Sequence, residues 1–97
     1  METYVILRRN GWRTADDLRE AAERSSVEGD RMPDDIAWIR SYVLAEEDGT
    51  VGTVCIYMAS SPEAVRRHAA AAGLPADEII RVADVVVVRP DPATVSA

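Results

Sequence analysis

The stretch IAWIRSYVLAEEDGTVGTVCIYMA, residues 36–59, places two β-branched and aromatic runs on either side of Asp48-Gly49. Asp-Gly between two such runs is a strong hairpin signal, because type I′ turns need positive φ at both central residues. The segment is therefore expected to form two antiparallel strands, 36–44 and 51–59. A two-residue turn at Asp48-Gly49 pairs Glu47 with Thr50. It then sets Tyr42 opposite Cys55, Arg40 opposite Tyr57, Val43 opposite Val54, Ser41 opposite Ile56 and Ile39 opposite Met58. One face becomes aliphatic (Ile39, Val43, Val54, Ile56, Met58). The other carries Trp38, Arg40, Tyr42, Cys55 and Tyr57. The aliphatic face is expected to take the helices and the aromatic, polar face to stay open.

On the N-terminal side, TYVILRR (3–9) reads as a strand. Placing Val5 and Leu7 under the helices sends Tyr4 and Arg8 to the open face. Thr14 is a candidate N-cap, with Asp17 three residues on. Behind it, residues 15–27 carry Leu18, Ala21, Ala22 and Ser25 at helical spacing, with Arg19–Glu23 and Glu20–Arg24 as i,i+4 ion pairs. EGDRMPDD (28–35) reads as a polar loop. On the C-terminal side, Ser61 caps a second helix, with Pro62 at N1. Gly73 closes it, Leu74 supplies the apolar contact and Pro75 prevents continuation. DEIIRVADVVVV (77–88) is a short turn leading into a fourth strand. RPDPATVSA holds two prolines that keep it out of a central strand.

The order is β-α-β-β-α-β, the split βαβ or ferredoxin-like motif. The predicted fold class is α+β, one four-stranded antiparallel sheet with two helices on one face. Residues 1–89 form one domain and 90–97 a tail. Tyr4, Trp38, Arg40, Tyr42 and Tyr57 are the candidate ligand-binding residues. An open face so rich in aromatic groups is seldom left in water. It fits both the filler of a homodimer interface, where Tyr, Trp and Arg are enriched, and the lining of a pocket.

The 97 residues suit one domain, and a chain this short gains by burying further surface on association. Seventeen acidic side chains against 11 basic ones give a net charge of −6, which argues against nucleic acid or an anionic membrane as partner. Lys is absent, which removes lysine Schiff-base chemistry and the phosphate loop ending in Lys-Ser/Thr. A single cysteine permits no intrachain disulfide. The first ten residues lack the pattern of a signal peptide or membrane span, so the expected location is the cytoplasm.

His68, the one histidine, shares a helical stripe with Val65, Ala69 and Ala72. That stripe points toward the sheet or its edge. The reading from periodicity is a packed ring hydrogen-bonded to backbone, with a functional role as the alternative. No nucleophile and orienting carboxylate surround it, as triad chemistry would need. The neighbouring alanines let the helix approach the sheet closely. Cys55 reads as a small buried hydrophobe or, with His68, as a candidate metal ligand. No Cys-x-x-Cys, His-x-His or His-Glu-x-x-His spacing occurs, so a metal would recruit carboxylates, water or a second subunit.

The segments YVILRR, IAWIRSYV and VCIYMASSPEAVRRHAAAAGLPADEI, with the RV that follows, resemble a family of small bacterial proteins of unknown function. Its described member is a nickel-binding protein with a dimeric ferredoxin-like fold. The resemblance covers roughly residues 3–82. The Cys-x-Tyr strand, the Pro-Glu helix start and the His…Gly-x-Pro-Ala segment are its most specific parts. Relatives read Tyr-x-x-Glu-Arg in the first strand, where this chain has Leu7 in place of Glu. The resemblance implies a homodimeric α/β barrel that binds nickel or another transition metal, or a small ligand. By fold analogy alone, an alternative is a small cofactor-independent monooxygenase or isomerase acting on an aromatic or unsaturated ligand in the barrel. A third reading is an interaction module without chemistry.

Overall fold

The computed structural model describes residues 1–75 and 78–92. It contains β1 (Glu2–Trp12), α1 (Ala15–Asp30), β2 (Ile36–Ala45), β3 (Val51–Ala59), α2 (Pro62–Ala72) and β4 (Glu78–Arg81). The strands form one antiparallel sheet in the order β2-β3-β1-β4. This is the expected α+β, ferredoxin-like arrangement.

The helices begin and end where their caps place them. Thr14 accepts from the Asp17 amide and Ser61 from the Ala64 amide. Gly73 adopts φ 68°, and its amide bonds back to Ala69 and Ala70. That left-handed conformation is what glycine supplies at a helix end. α1 runs three residues past the expected end, through Glu28–Asp30. The extra turn lies against His68, whose Nε2 is 3.7 Å from the place a Cβ on Gly29 would occupy, an ordinary contact distance. The expected pairs Arg19–Glu23 and Glu20–Arg24 give way to others: Arg19 pairs with Asp16, and Arg24 donates from Nε to the Ala72 carbonyl at 2.9 Å.

The hairpin corrects the expected faces. Its loop is longer by one residue than the two-residue turn. The Gly49 amide donates to the Glu46 carbonyl and the Glu46 amide to the Thr50 carbonyl, both at 3.1 Å. Gly49 alone in this loop has positive φ, at 84°. This is a type I turn closed by a glycine bulge. Tyr42 now pairs with Val54 and Ser41 with Cys55. A one-residue slip moves side chains to opposite faces. A second shift between Trp38 and Arg40 brings Trp38 opposite Tyr57.

The face under the helices therefore carries Tyr4, Ile6, Arg8, Thr53, Cys55, Tyr57 and Ala59, all buried. Volume explains the choice. The helices offer small or compact groups to the sheet: Ala21 and Ser25 from α1, and Ala64, Val65, His68, Ala69 and Ala72 from α2. Large sheet residues fill the space those groups leave. The open face holds the aliphatic set instead, Val5, Leu7, Val54, Ile56 and Met58, with Tyr42 and Arg40 at its β2 side.

β4 covers Glu78–Arg81, at the start of the 77–88 segment where a short turn was expected, and the rest of the described segment is not strand; residue 77 lies outside the described residues. Val85–Val88 are 68–84% exposed and belong to no strand. Within the expected tail, residues 93–97 also lie outside the described residues.

Candidate functional site

The chemistry-bearing side chains converge between the sheet and the helices. Tyr57, on β3, is the meeting point. Its hydroxyl shares a 3.0 Å hydrogen bond with Ser25 of α1. Its ring stacks on Trp38 at 6.0 Å and tilts against His68 at 5.5 Å. Burial pushes the Tyr57 hydroxyl above the ordinary tyrosine range, and the Ser25 bond and the nearby Arg8 charge partly offset this.

His68 is buried, and its Nε2 lies 2.9 Å from the Ser25 carbonyl. A carbonyl oxygen only accepts, so Nε2 carries the proton and donates. The other ring nitrogen, Nδ1, is buried and has no hydrogen-bond partner among the described residues.

Cys55 is a free, buried thiol. Its Sγ accepts from Arg8 Nη1 at 3.2 Å and from the Ser41 hydroxyl at 3.0 Å, and donates to Thr53 Oγ1 at 3.4 Å. Trp38 Nε1 donates to Ser41 Oγ at 2.8 Å. Arg8 is 1% exposed and uses its Nε on the Pro75 carbonyl, just past α2. Among the described residues its Nη2 has no partner. No salt bridge involves Arg8 among the described residues.

A cavity of about 140 Å³ lies against this network. Its lining includes the polar residues Arg8, Ser25, Ser41, Thr53, Cys55 and Tyr57 and the apolar residues Trp12, Leu18, Ala21, Ala22 and Leu74. Trp38 and Val43, both exposed, also border it.

Of the expected ligand-binding residues, Trp38 and Tyr57 border this cavity together. Tyr4 lies buried in the core on the same side of the sheet, and Arg40 and Tyr42 are exposed on the other side. His68 and Cys55 flank Tyr57 through separate hydrogen bonds, to α1 and to the β-sheet. Arg8, Ser25, Ser41 and Thr53 were not among the expected site residues. The signal that points to them is the alanine-rich helix surface, which calls for large or polar groups on the facing sheet.

A nickel ion does not fit a His68–Cys55 pair within one chain. Cys55 already accepts from a guanidinium, whose charge opposes a second cation. His68 offers only its buried Nδ1. Among the described residues no group of three or more His, Cys, Asp or Glu side chains could hold a metal. Among them also, no helix is long and apolar enough to cross a membrane.

The family described as "Nickel responsive protein SCO4226-like" matches residues 4–82. The crystal structure of SCO4226 from Streptomyces coelicolor A3(2) is similar to this chain, with a TM-score of 0.65 and 27% identity over 87% of this chain and 99% of that one. No curated protein matches.

Proposed function

Because the chain belongs to the SCO4226-like family of nickel responsive proteins, we propose that it is a homodimeric binding protein of the cytoplasm. It takes a small molecule into the cavity between sheet and helices, and a transition metal, nickel first, where two chains meet. The observation that carries the ligand reading is the cavity of about 140 Å³ between α1 and the sheet, whose lining surface is almost wholly apolar. Small-molecule sites are concave and lined predominantly by apolar side chains.

The metal part of the reading rests on the family and on the donor count. One chain supplies one imidazole and one thiol, and here both are engaged in hydrogen bonds. The donors where two chains meet would therefore be carboxylates from both. The Irving–Williams order then favours nickel or copper over manganese.

Native mass spectrometry during Ni²⁺ titration tests the assignment. The expected result is uptake by the dimer alone, unchanged in Cys55→Ser. Stoichiometric uptake by the monomer, lost in His68→Ala and Cys55→Ser, would return the metal to a single-chain site. A protein that stays monomeric and takes up no Ni²⁺, Cu²⁺ or Zn²⁺ would remove both the dimer and the metal from the proposal.

A further inference from the structure

Val85–Val88 form an unbroken run of valines that is 68–84% exposed and lies in no strand. Valine favours strands, yet β4 ends just ahead of the run, and the pairing with β1 shows why. It steps from Leu7–Glu78 to Tyr4–Arg81, and the Val82 amide still donates to the Thr3 carbonyl at 2.8 Å. One further step reaches Glu2, the first residue of β1. Val85–Val88 have therefore passed the end of β1 and have none of its backbone beside them. They also lie beyond residues 4–82, the part the family matches.

Among the described residues, β2 and β4 are the edges of the sheet. β4 is only four residues long, whereas β2 has ten and exposes Ile39, Tyr42 and Val43. A long apolar edge with free backbone groups is normally covered or blunted. The register shift between Trp38 and Arg40 disturbs the first half of β2, but Arg40–Ala45 pair regularly with β3 and leave a regular outer edge. The valine run cannot cover this edge in its own chain. A strand beyond β2 would lie about 19 Å from β4, at strand spacings of about 4.8 Å. The chain from Val82 to Val85 reaches at most about 11 Å.

We propose that Val85–Val88 of each chain pair, as an added strand, with Arg40–Ala45 on the β2 edge of a second copy. The inference rests on the homodimer reading and names the segment that joins the two chains. Exposed charges fit it. Asp84 and Arg89 bracket the run, and Arg40 and Glu47 bracket the regular half of β2. A tail running parallel to β2 brings opposite charges together at both ends, and an antiparallel one brings like charges together. Reciprocal exchange of two tails is isologous and closes at two copies.

Sedimentation and hydrogen–deuterium exchange of the full chain test the proposal. Val86→Pro and Val87→Pro are made singly, because successive amides point to opposite sides of a strand and proline removes the donor. The variant whose lost amide faces β2 should raise the dimer dissociation constant about tenfold or more. In the wild-type dimer, the outward amides of Arg40–Ala45 should be protected, and that protection should fall in the same variant. Both valines are exposed in the single chain, so circular dichroism of the variants should match wild type. Wild-type affinity in both variants would overturn the tail's role and leave a homodimer joined by other surfaces. So would a wild-type dimer whose Arg40–Ala45 amides exchange as fast as in the monomer. Wild-type protein that stays monomeric at micromolar concentration would remove the homodimer itself.

Discussion

Tyr57 joins both helices to the sheet, and its environment sets a pH dependence. Burial raises the pKa of its hydroxyl in the folded protein. In the unfolded chain the same group ionises near pH ~10. The unfolded state therefore loses its proton first. The stability from this group is complete below about pH 10 and is lost as pH rises through the folded value. Urea unfolding from pH 8 to 11 should show a decline at the alkaline end that is shallower in Tyr57→Phe. At neutral pH that variant should cost about 1 kcal/mol, since Ser25 Oγ loses its partner. His68→Ala removes a buried ring and the bond to the Ser25 carbonyl, at an expected cost of about 1–3 kcal/mol. A variant that melts like wild type would show that the ring contributes nothing to the core.

The hairpin decides which side chains line the cavity. The Glu46 side chain, 5% exposed, accepts from Arg9 Nε and from the Asn10 amide. This ties the loop to the irregular end of β1, where Asn10 has φ 52° and the pairing shifts between Arg8 and Trp12. Gly52 lies against the same irregularity. A Cβ there would sit 2.7 Å from the Arg8 carbonyl oxygen and 3.3 Å from the Asn10 nitrogen. Both atoms are backbone, so no side-chain rotation relieves the contact. Gly52→Ala should destabilise the protein by about 1–3 kcal/mol, the usual range for overpacking. A denaturation curve like wild type would show that β1 gives way freely at this point.

At the scale of the whole molecule, the chain is larger than its mass requires. Its accessible surface is 6698 Å², against about 5,500 Å² for a folded monomer of 10.6 kDa. Its radius of gyration is 14.0 Å, where about 13 Å suits 100 residues. The excess fits the exposed run Val85–Val88, which lies outside the sheet. The open sheet face carries the half-buried Val5, Leu7, Val54, Ile56 and Met58. Patches of this kind mark interaction surfaces, and a second copy of the chain would cover them. Ile56→Asp should convert a dimer to a folded monomer, read as a fall in sedimentation coefficient with unchanged circular dichroism. Tyr57→Asp should unfold the chain, because that side chain is 1% exposed and faces the helices. Wild-type protein that sediments as a monomer at micromolar concentration would overturn the dimer.

The elements were legible because their signals are local. Thr14, Ser61 and Gly73 bond within four residues of themselves, so the helix boundaries follow from neighbouring letters. The βαββαβ order follows from those boundaries and from the Asp48-Gly49 turn. The stripe that buries His68 is likewise a matter of helical period. The faces of the sheet were not legible. They turned on one additional loop residue at the hairpin and a register shift near Ile39, neither of which changes the pattern of apolar and polar letters. Nor does any short stretch reveal that Arg8, Tyr57 and Cys55 go inward. That depends on volume, since alanine-rich surfaces from two separate helices leave space that the aliphatic face would underfill. Packing of this kind is settled only when residues distant in the chain meet. The cavity and its buried guanidinium therefore belong to the assembled core.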